Sequence, residues 1–248
     1  MSKTLLITGG SRGIGAAAAV LAARRGWDVA VNYTRDVAAA QRVAEQVRAL
    51  GQRALVVQAD VADEAQVLAM FATVDKEFGP LRGLVNNAGV VDRPSRVDQM
   101  SLQRLMRMFA INLTGSFLCA REAVKRMSTL HGGVGGVIVN LSSAAARLGS
   151  PSQYVDYAAA KAGIDTFTLG LAREVATEGI RVNAVRPGII DTEIHASGGL
   201  PDRVKQTAPM VPMQRAGSAE EVAQAIVWLL SEESGYTTGA VIDVTGGR

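Results

Sequence analysis

The sequence predicts an α/β protein in three layers, a doubly wound, seven-stranded parallel sheet with helices on both faces. Two observations carry that expectation. Seven short apolar runs alternate with longer stretches of helical periodicity, and strand–helix alternation is the mark of βαβ units. The runs are nearly continuous in hydrophobicity, as strands are when both faces of a parallel sheet are covered. No linker or composition break divides the 248 residues, so 1–248 reads as a single dinucleotide-binding and catalytic domain.

In chain order the strand candidates are Thr4–Thr8, Asp28–Tyr33, Ala54–Gln58, Gly83–Asn86, Val137–Leu141, Arg181–Val185 and Ala240–Val244. Each is rich in β-branched residues or leucine. Helices are expected over Ile14–Arg25, Val37–Leu50, Glu64–Phe78, Leu102–Met127, Val155–Thr177 and Ala219–Leu230. Ser218 and Glu221 have the spacing of a capping box at the start of the last helix. Residues 188–217 lack a strong pattern and hold three prolines and two methionines. A segment that long inside a compact domain is usually functional or mobile, so Ile189–Met213 reads as a mobile substrate lid.

Bulk composition removes several function classes. The chain is 48% hydrophobic and 20% charged with a net charge of +3, which excludes a disordered chain. No block of like charges suggests nucleic acid. The single cysteine, Cys119, lies in an apolar run and reads as core. His131 and His195 have no metal-ligand company at a recognised spacing, so no metal is expected. No stretch approaches the ~20 apolar residues needed to span a bilayer, and the start of the chain has no signal-peptide pattern. The expectation is a reduced, cytoplasmic protein.

Two motifs carry chemistry. Thr8-Gly9-Gly10-Ser11-Arg12-Gly13-Ile14-Gly15 follows the first strand and opens the first helix. In that context glycines permit close backbone approach, and the helix N-terminus offers N–H groups to a pyrophosphate. The spacing is Gly-x3-Gly-x-Gly. A second cluster, Gly132 to Gly136, precedes a strand instead of following one and reads as a flexible surface loop. After the second strand come Thr34-Arg35-Asp36. Arg35 and Arg12 suit the 2′-phosphate of NADP(H), whereas NAD(H) sites place an acid there. Asp36 comes one position late and reads as the start of the next helix.

The second motif is Tyr157-Ala-Ala-Ala-Lys161. On a helix these side chains share one face. A fixed ammonium favours a phenolate, so the pair reads as a proton donor and acceptor working near neutral pH.

Together these features resemble the short-chain dehydrogenase/reductase family, in its single-domain branch of roughly 250 residues. The resemblance covers nearly the whole chain and implies a Rossmann fold. It assigns cofactor contacts to Gly9, Ser11, Arg12, Gly13, Ile14 and Gly15 in the loop, with Asp60 and Val61 beside the adenine. It adds Asn87, Ala88 and Gly89 after the fourth strand, and Pro187, Gly188, Ile190 and Thr192 after the sixth. Asn112, Ser143, Tyr157 and Lys161 match the family's catalytic set. The resemblance implies that Tyr157 exchanges a proton with the substrate oxygen, which Ser143 also binds. Lys161 lowers the tyrosine's pKa and binds the nicotinamide ribose, and Asn112 holds a relay water. Ser142 and Ser143 are adjacent, and the family uses the second of such a pair. Tyr154 is a rival aromatic without a lysine four residues on. The spacing of 14 from Ser143 to Tyr157 suggests one extra residue within Leu148–Asp156.

The resemblance further implies a small-molecule carbonyl or alcohol substrate and a homotetramer joined through Leu102–Met127 and Val155–Thr177. The substrate pocket is expected among Val90–Ser95, Ala144–Tyr154 and the lid. Arg93 and Arg147 in those segments read as solvated. Ketone, sugar or polyol, and 3-oxoacyl substrates all remain open. Gly133-Val134 and Glu178 stand where reductases of carrier-protein substrates tend to be basic. The alternative is a non-catalytic NADP-binding regulatory protein on the same fold.

Overall fold

A computed structural model describes residues 3–194 and 198–248. Seven parallel strands form one sheet in the order β3-β2-β1-β4-β5-β6-β7. They are β1 (Lys3–Ile7), β2 (Trp27–Tyr33), β3 (Ala54–Gln58), β4 (Leu81–Asn86), β5 (Gly136–Leu141), β6 (Ile180–Pro187) and β7 (Val241–Val244). Every expected strand is present, with ends shifted by at most two residues. The order reverses between β1 and β4, the topological switch point where such sheets bind ligands beyond their carboxyl ends.

Successive strand residues face opposite sides, and the core divides accordingly. Leu5, Ile7, Val29, Val31, Val139 and Val185 pack with α1 (Gly13–Arg24), α2 (Val37–Ala49) and the late helix Ala219–Leu230. Leu6, Ala30, Leu84, Ile138 and Val182 face α3 (Glu64–Phe78), Gly115–Met127 and Val155–Val175. Cys119 is fully buried in this second layer, and burial pushes its thiol up to about 12. It is a core residue with no access to thiolate chemistry.

The expected helix over Leu102–Met127 is interrupted. It runs as α4 (Leu102–Phe109), one π-helical turn (Ala110–Thr114) and α5 (Gly115–Met127). The inserted turn holds Asn112 at its centre, buried and hydrogen-bonded to a different loop. Single π turns of this kind concentrate at functional sites. α6 (Ala145–Leu148), α7 (Val155–Val175), α8 (Arg203–Thr207) and α9 (Ala219–Leu230) complete the helices described. α9 begins with the expected Ser218–Glu221 capping box.

The Gly132–Gly136 loop lies at the amino end of β5, away from the ligand edge, and at the surface, with Gly132 and Val134 exposed while Gly133 and Gly135 are closely packed. A Cβ on Gly133 would stand 2.4 Å from the Met127 carbonyl carbon, and one on Gly135 2.5 Å from Gly179 O. Its glycines permit close backbone approach. In the lid segment, Ile190 bridges to Gly217, and residues 203–210 form α8 and a 3-10 turn. His195 lies outside the described residues. No helix among the described residues is long and apolar enough to cross a membrane.

Candidate active site

The glycine loop is shaped by contacts that leave no room for a side chain. Gly9 and Gly13 have φ of +60° and +53°, a region open to glycine with little strain. A Cβ on Gly15 would fall 2.5 Å from both Asn87 Nδ2 and Gly9 O. Asn87 Nδ2 donates to Thr8 O and Gly9 O at 2.9 Å, and the Thr8 hydroxyl accepts from the Asn87 and Ala88 amides at 3.0 Å. The turn after β4 thus fixes the turn after β1.

Behind this loop, α1 starts without a side-chain cap at Arg12. By contrast, α2, α3, α4 and α9 are capped by Asp36, Asp63, Ser101 and Ser218. An uncapped helix start behind a glycine cradle fits the pyrophosphate of a dinucleotide. Thr192 leans over the cradle, 3.3 Å from where a Gly13 Cβ would sit. Asp36 accepts from Ala39 N at 2.9 Å as the α2 cap, so it is occupied as expected, while Arg12 and Arg35 stand exposed. Asp60 accepts from Ala62 N, and Val61 is buried against Gly115. A Cβ on Gly188 would lie 2.8 Å from Thr245 Cα, so the end of β6 passes close to the strand beside it.

The catalytic candidates converge at the carboxyl ends of β4 and β5. The two serines separate as strand alternation requires. Ser142 Oγ donates to Lys161 O at 3.2 Å inside the core. Ser143 instead hydrogen-bonds the Tyr157 hydroxyl, and its Oγ accepts from Ala145 N. Lys161 is buried, donates to Leu141 O at 2.6 Å, and places Nζ 5.7 Å from the centre of the Tyr157 ring.

One expectation changes here, because the Tyr157 phenol is not held below its ordinary value in this structure. Burial pushes the phenol above its ordinary value, opposed by the Ser143 hydrogen bond. Burial likewise brings Lys161 down to about 8, against the charge of Asp165. The ammonium lies by the ring face and is itself poorly solvated, so desolvation outweighs the pairing. The Asn112 amide is bonded to the loop after β4 and to its own helix. Its Oδ1 accepts from Val90 N, and its Nδ2 donates to Val90 O and Met108 O, all within 3.1 Å. A Cβ on Gly89 would stand 2.9 Å from Asn112 Oδ1 and 3.7 Å from Lys161 Nζ, and the Asn112 bonds to Val90 hold the Gly89–Val90 wall in place.

Sequence reasoning missed Arg104 and Asp156. Asp156 is wholly buried in the first turn of α7, one residue before Tyr157. Arg104 from α4 grips it through two hydrogen bonds of 2.7 and 3.2 Å and also donates to Arg93 O. An acid in the first turn of the tyrosine helix was the available signal, but its partner lies 52 residues away.

Above Tyr157 opens a cavity of about 160 Å³. All three expected segments line it, through Val91, through Leu148 and Tyr154, and through Ile189, Ile194 and Arg203. Arg93 and Arg147 do not. Arg147 is exposed and paired with Asp243. In the loop 149–152, Gly149, Ser150 and Ser152 all take positive φ, and the turn closes with Tyr154 N donating to Ser150 O.

A dinucleotide cradle at the switch point, with a tyrosine, serine and lysine at the neighbouring strand ends, defines a nicotinamide-dependent oxidoreductase. The chain belongs to the short-chain dehydrogenase/reductase family. The family model described as enoyl-(acyl carrier protein) reductase matches residues 9–248. An uncharacterized oxidoreductase of Escherichia coli (strain K12), YgfF, is 56% identical over 243 residues, 98% of each chain. The 3-oxoacyl-[acyl-carrier-protein] reductase FabG of Staphylococcus aureus (strain MW2) is 39% identical across 100% of this chain and 98% of its own. A solved short-chain type dehydrogenase/reductase from Mycobacterium marinum superposes with a TM-score of 0.92 at 35% identity, covering 99% of this chain and 94% of the other. The protein is accordingly an NAD(P)-dependent oxidoreductase of small-molecule carbonyls and alcohols.

Proposed function

We propose that the protein interconverts a carbonyl and a secondary alcohol with NADP(H), using Tyr157 as proton donor and acceptor. The observation that carries this reading is the Tyr157 hydroxyl, hydrogen-bonded to Ser143 over the buried Lys161 at the floor of the cavity. When bound, the nicotinamide supplies or accepts the hydride. Tyr157 delivers a proton to the substrate oxygen on reduction and removes it on oxidation. A raised phenol pKa keeps the proton in place for reduction. Ser143 binds the same oxygen as charge develops. Lys161 supplies positive charge beneath the ring, and Asn112 acts as a positioning residue for Gly89 and Val90.

The NADP(H) preference rests on Arg12 and Arg35, both exposed beside the cradle, with no acid free at the end of β2. The exposed Phe117 of α5 stacks on Phe167 of α7 with ring centres 3.7 Å apart, which supports a homotetramer joined through these helices. Solution mass reads that directly.

The test is Tyr157→Phe, assayed with NADPH and NADH against a panel of ketones, sugars and 3-oxoacyl compounds. Cofactor affinity should hold while kcat falls about 10³-fold or more, with NADPH preferred by the wild type. Retained turnover in the variant would remove Tyr157 from the mechanism.

A further inference from the structure

We propose that Arg248 is an anion-binding residue of the substrate site, and that the carbonyl compound carries a negatively charged group. The inference rests on the oxidoreductase reading above and deepens it by naming a substrate class.

Among the described residues three cationic side chains line the cavity above Tyr157, namely Lys161, Arg203 and Arg248, and no side-chain carboxylate does. Two of the three are engaged. Lys161 is bonded to Leu141 O at the floor. Arg203 donates to Gln153 Oε1 at 2.8 Å and stacks 4.9 Å from the centre of the Tyr154 ring. Arg248 differs, because its Nη1 is buried with no hydrogen-bond partner.

Nearby carboxylates do not answer it. Asp243 is held by Arg147 and Arg186, each at 2.7 Å, and Glu221 by Arg215 at 2.6 Å. The adjoining cavity, which Arg248 also borders, thus contains two arginines with acidic partners and one without. A buried guanidinium donor left unpaired is costly, so Arg248 Nη1 calls for a partner such as a water, an ion or a ligand.

The backbone leading to the arginine is also fixed. Gly246 and Gly247 take φ of +65° and +93°. A Cβ on Gly246 would meet Val211 at 2.7 Å, and Met213 N donates to Gly246 O at 3.1 Å. Packed in this way against the lid segment, the end of the chain places Arg248 in the same cavity lining as Leu148, Tyr154 and Ile189. Ile14, Asn87 and Thr192 of the cofactor side line the same cavity, but the cofactor's phosphates have their own donors at the uncapped start of α1. A planar guanidinium suits a carboxylate or a phosphate through paired N–H donors. The shared chemistry is an oxyanion tethered to the reacting carbonyl.

The experiment compares wild type, Arg248→Met and Arg248→Lys with matched substrates under saturating NADPH. One arm pairs 2-, 3- and 4-oxo acids with their methyl esters, and a second pairs phosphorylated with unphosphorylated ketoses. In one of these arms the wild type should favour the anionic member in kcat/KM by about tenfold or more, and Arg248→Met should erase that ratio chiefly through KM. Arg248→Lys should restore part of it. The arm that responds identifies the anion. A ratio near one in the wild type, or one that survives Arg248→Met, overturns the proposal. Binding of benzoate and benzamide to the NADPH-loaded protein, followed by calorimetry, reads the anion site without turnover. Tighter benzoate binding that Arg248→Met removes supports it, and equal binding overturns it. Failure of all turnover with benzoate selectivity intact would instead sink the proposed reaction alone.

Discussion

The cofactor half and the substrate half of the cavity are built by different means. Around the cradle, backbone meets backbone. Gly9, Gly13 and Gly15 are dictated by φ or by a 2.5 Å exclusion, and Asn87 locks two loops through main-chain oxygens. On the substrate side, side chain meets side chain. Arg104 grips Asp156, Arg203 covers Tyr154, and Arg248 Nη1 is buried without a hydrogen-bond partner. A site made from backbone tolerates one residue type per position, whereas a site made from side chains can be rebuilt by substitution. That contrast matches one scaffold appearing under the names FabG and glucose 1-dehydrogenase 2 among relatives 39% and 37% identical to this chain.

Breaking the substrate half has the largest expected effect. Arg104→Ala leaves Asp156 buried without a counter-charge, and losing one partner of such a pair destabilises by about 3–5 kcal/mol. The loss should appear as a lowered denaturant midpoint. In the folded fraction, kcat should fall because α7 loses the anchor beside Tyr157, while NADPH affinity stays near wild type. A fall in NADPH affinity as large as the fall in kcat would show that the two halves are one unit. Gly15→Ala makes the converse break. Its Cβ would require Gly9 O or Asn87 to move from 2.5 Å, an overpacking strain of about 1–3 kcal/mol. NADPH titration should show weakened affinity, with Arg104–Asp156 and the substrate wall intact.

The same contrast explains what the sequence disclosed. Strand continuity, helix periodicity and the capping box are local, and all seven strands and the α9 cap were legible. The cradle was legible because glycine is the physical answer to a close approach. The serine choice followed from the family resemblance, and Ser142 proved to face Lys161 O. What was hidden depends on residues distant in the chain. The π turn at Asn112 arises from a bond to Val90, 22 residues earlier. Arg104 requires Asp156, and Arg248 acquires meaning only when its segment packs on Val211 and Met213. The tyrosine pKa went astray for a related reason. Spacing reports that Tyr157 and Lys161 are neighbours but says nothing of the burial that raises one and lowers the other.

Lys161 sits where the two halves meet, and the smallest of these effects sharpens the boundary. Burial holds it at about 8 against an ordinary 10.5. A cation whose folded pKa is depressed opposes folding while it is charged in both states. The penalty is complete below pH 8 and is relieved as pH rises from 8 toward 10.5, where only the unfolded chain keeps the proton. Its size is at most about 3 kcal/mol at ~1.36 kcal/mol per unit, a net figure that already contains the hydrogen bond to Leu141 O. Lys161→Met should therefore raise the cofactor-free stability at pH 7 by on the order of 1 kcal/mol while turnover collapses. Thermal melts of both proteins from pH 7 to 9.5 should show the gain shrinking as pH rises. A gain independent of pH would mean that the neutral methionine packs better than lysine and that charge burial is not the cause. A gain that shrinks with pH makes the lysine a cation kept for chemistry at the expense of stability, on the line where the backbone-built half gives way to the side-chain-built half.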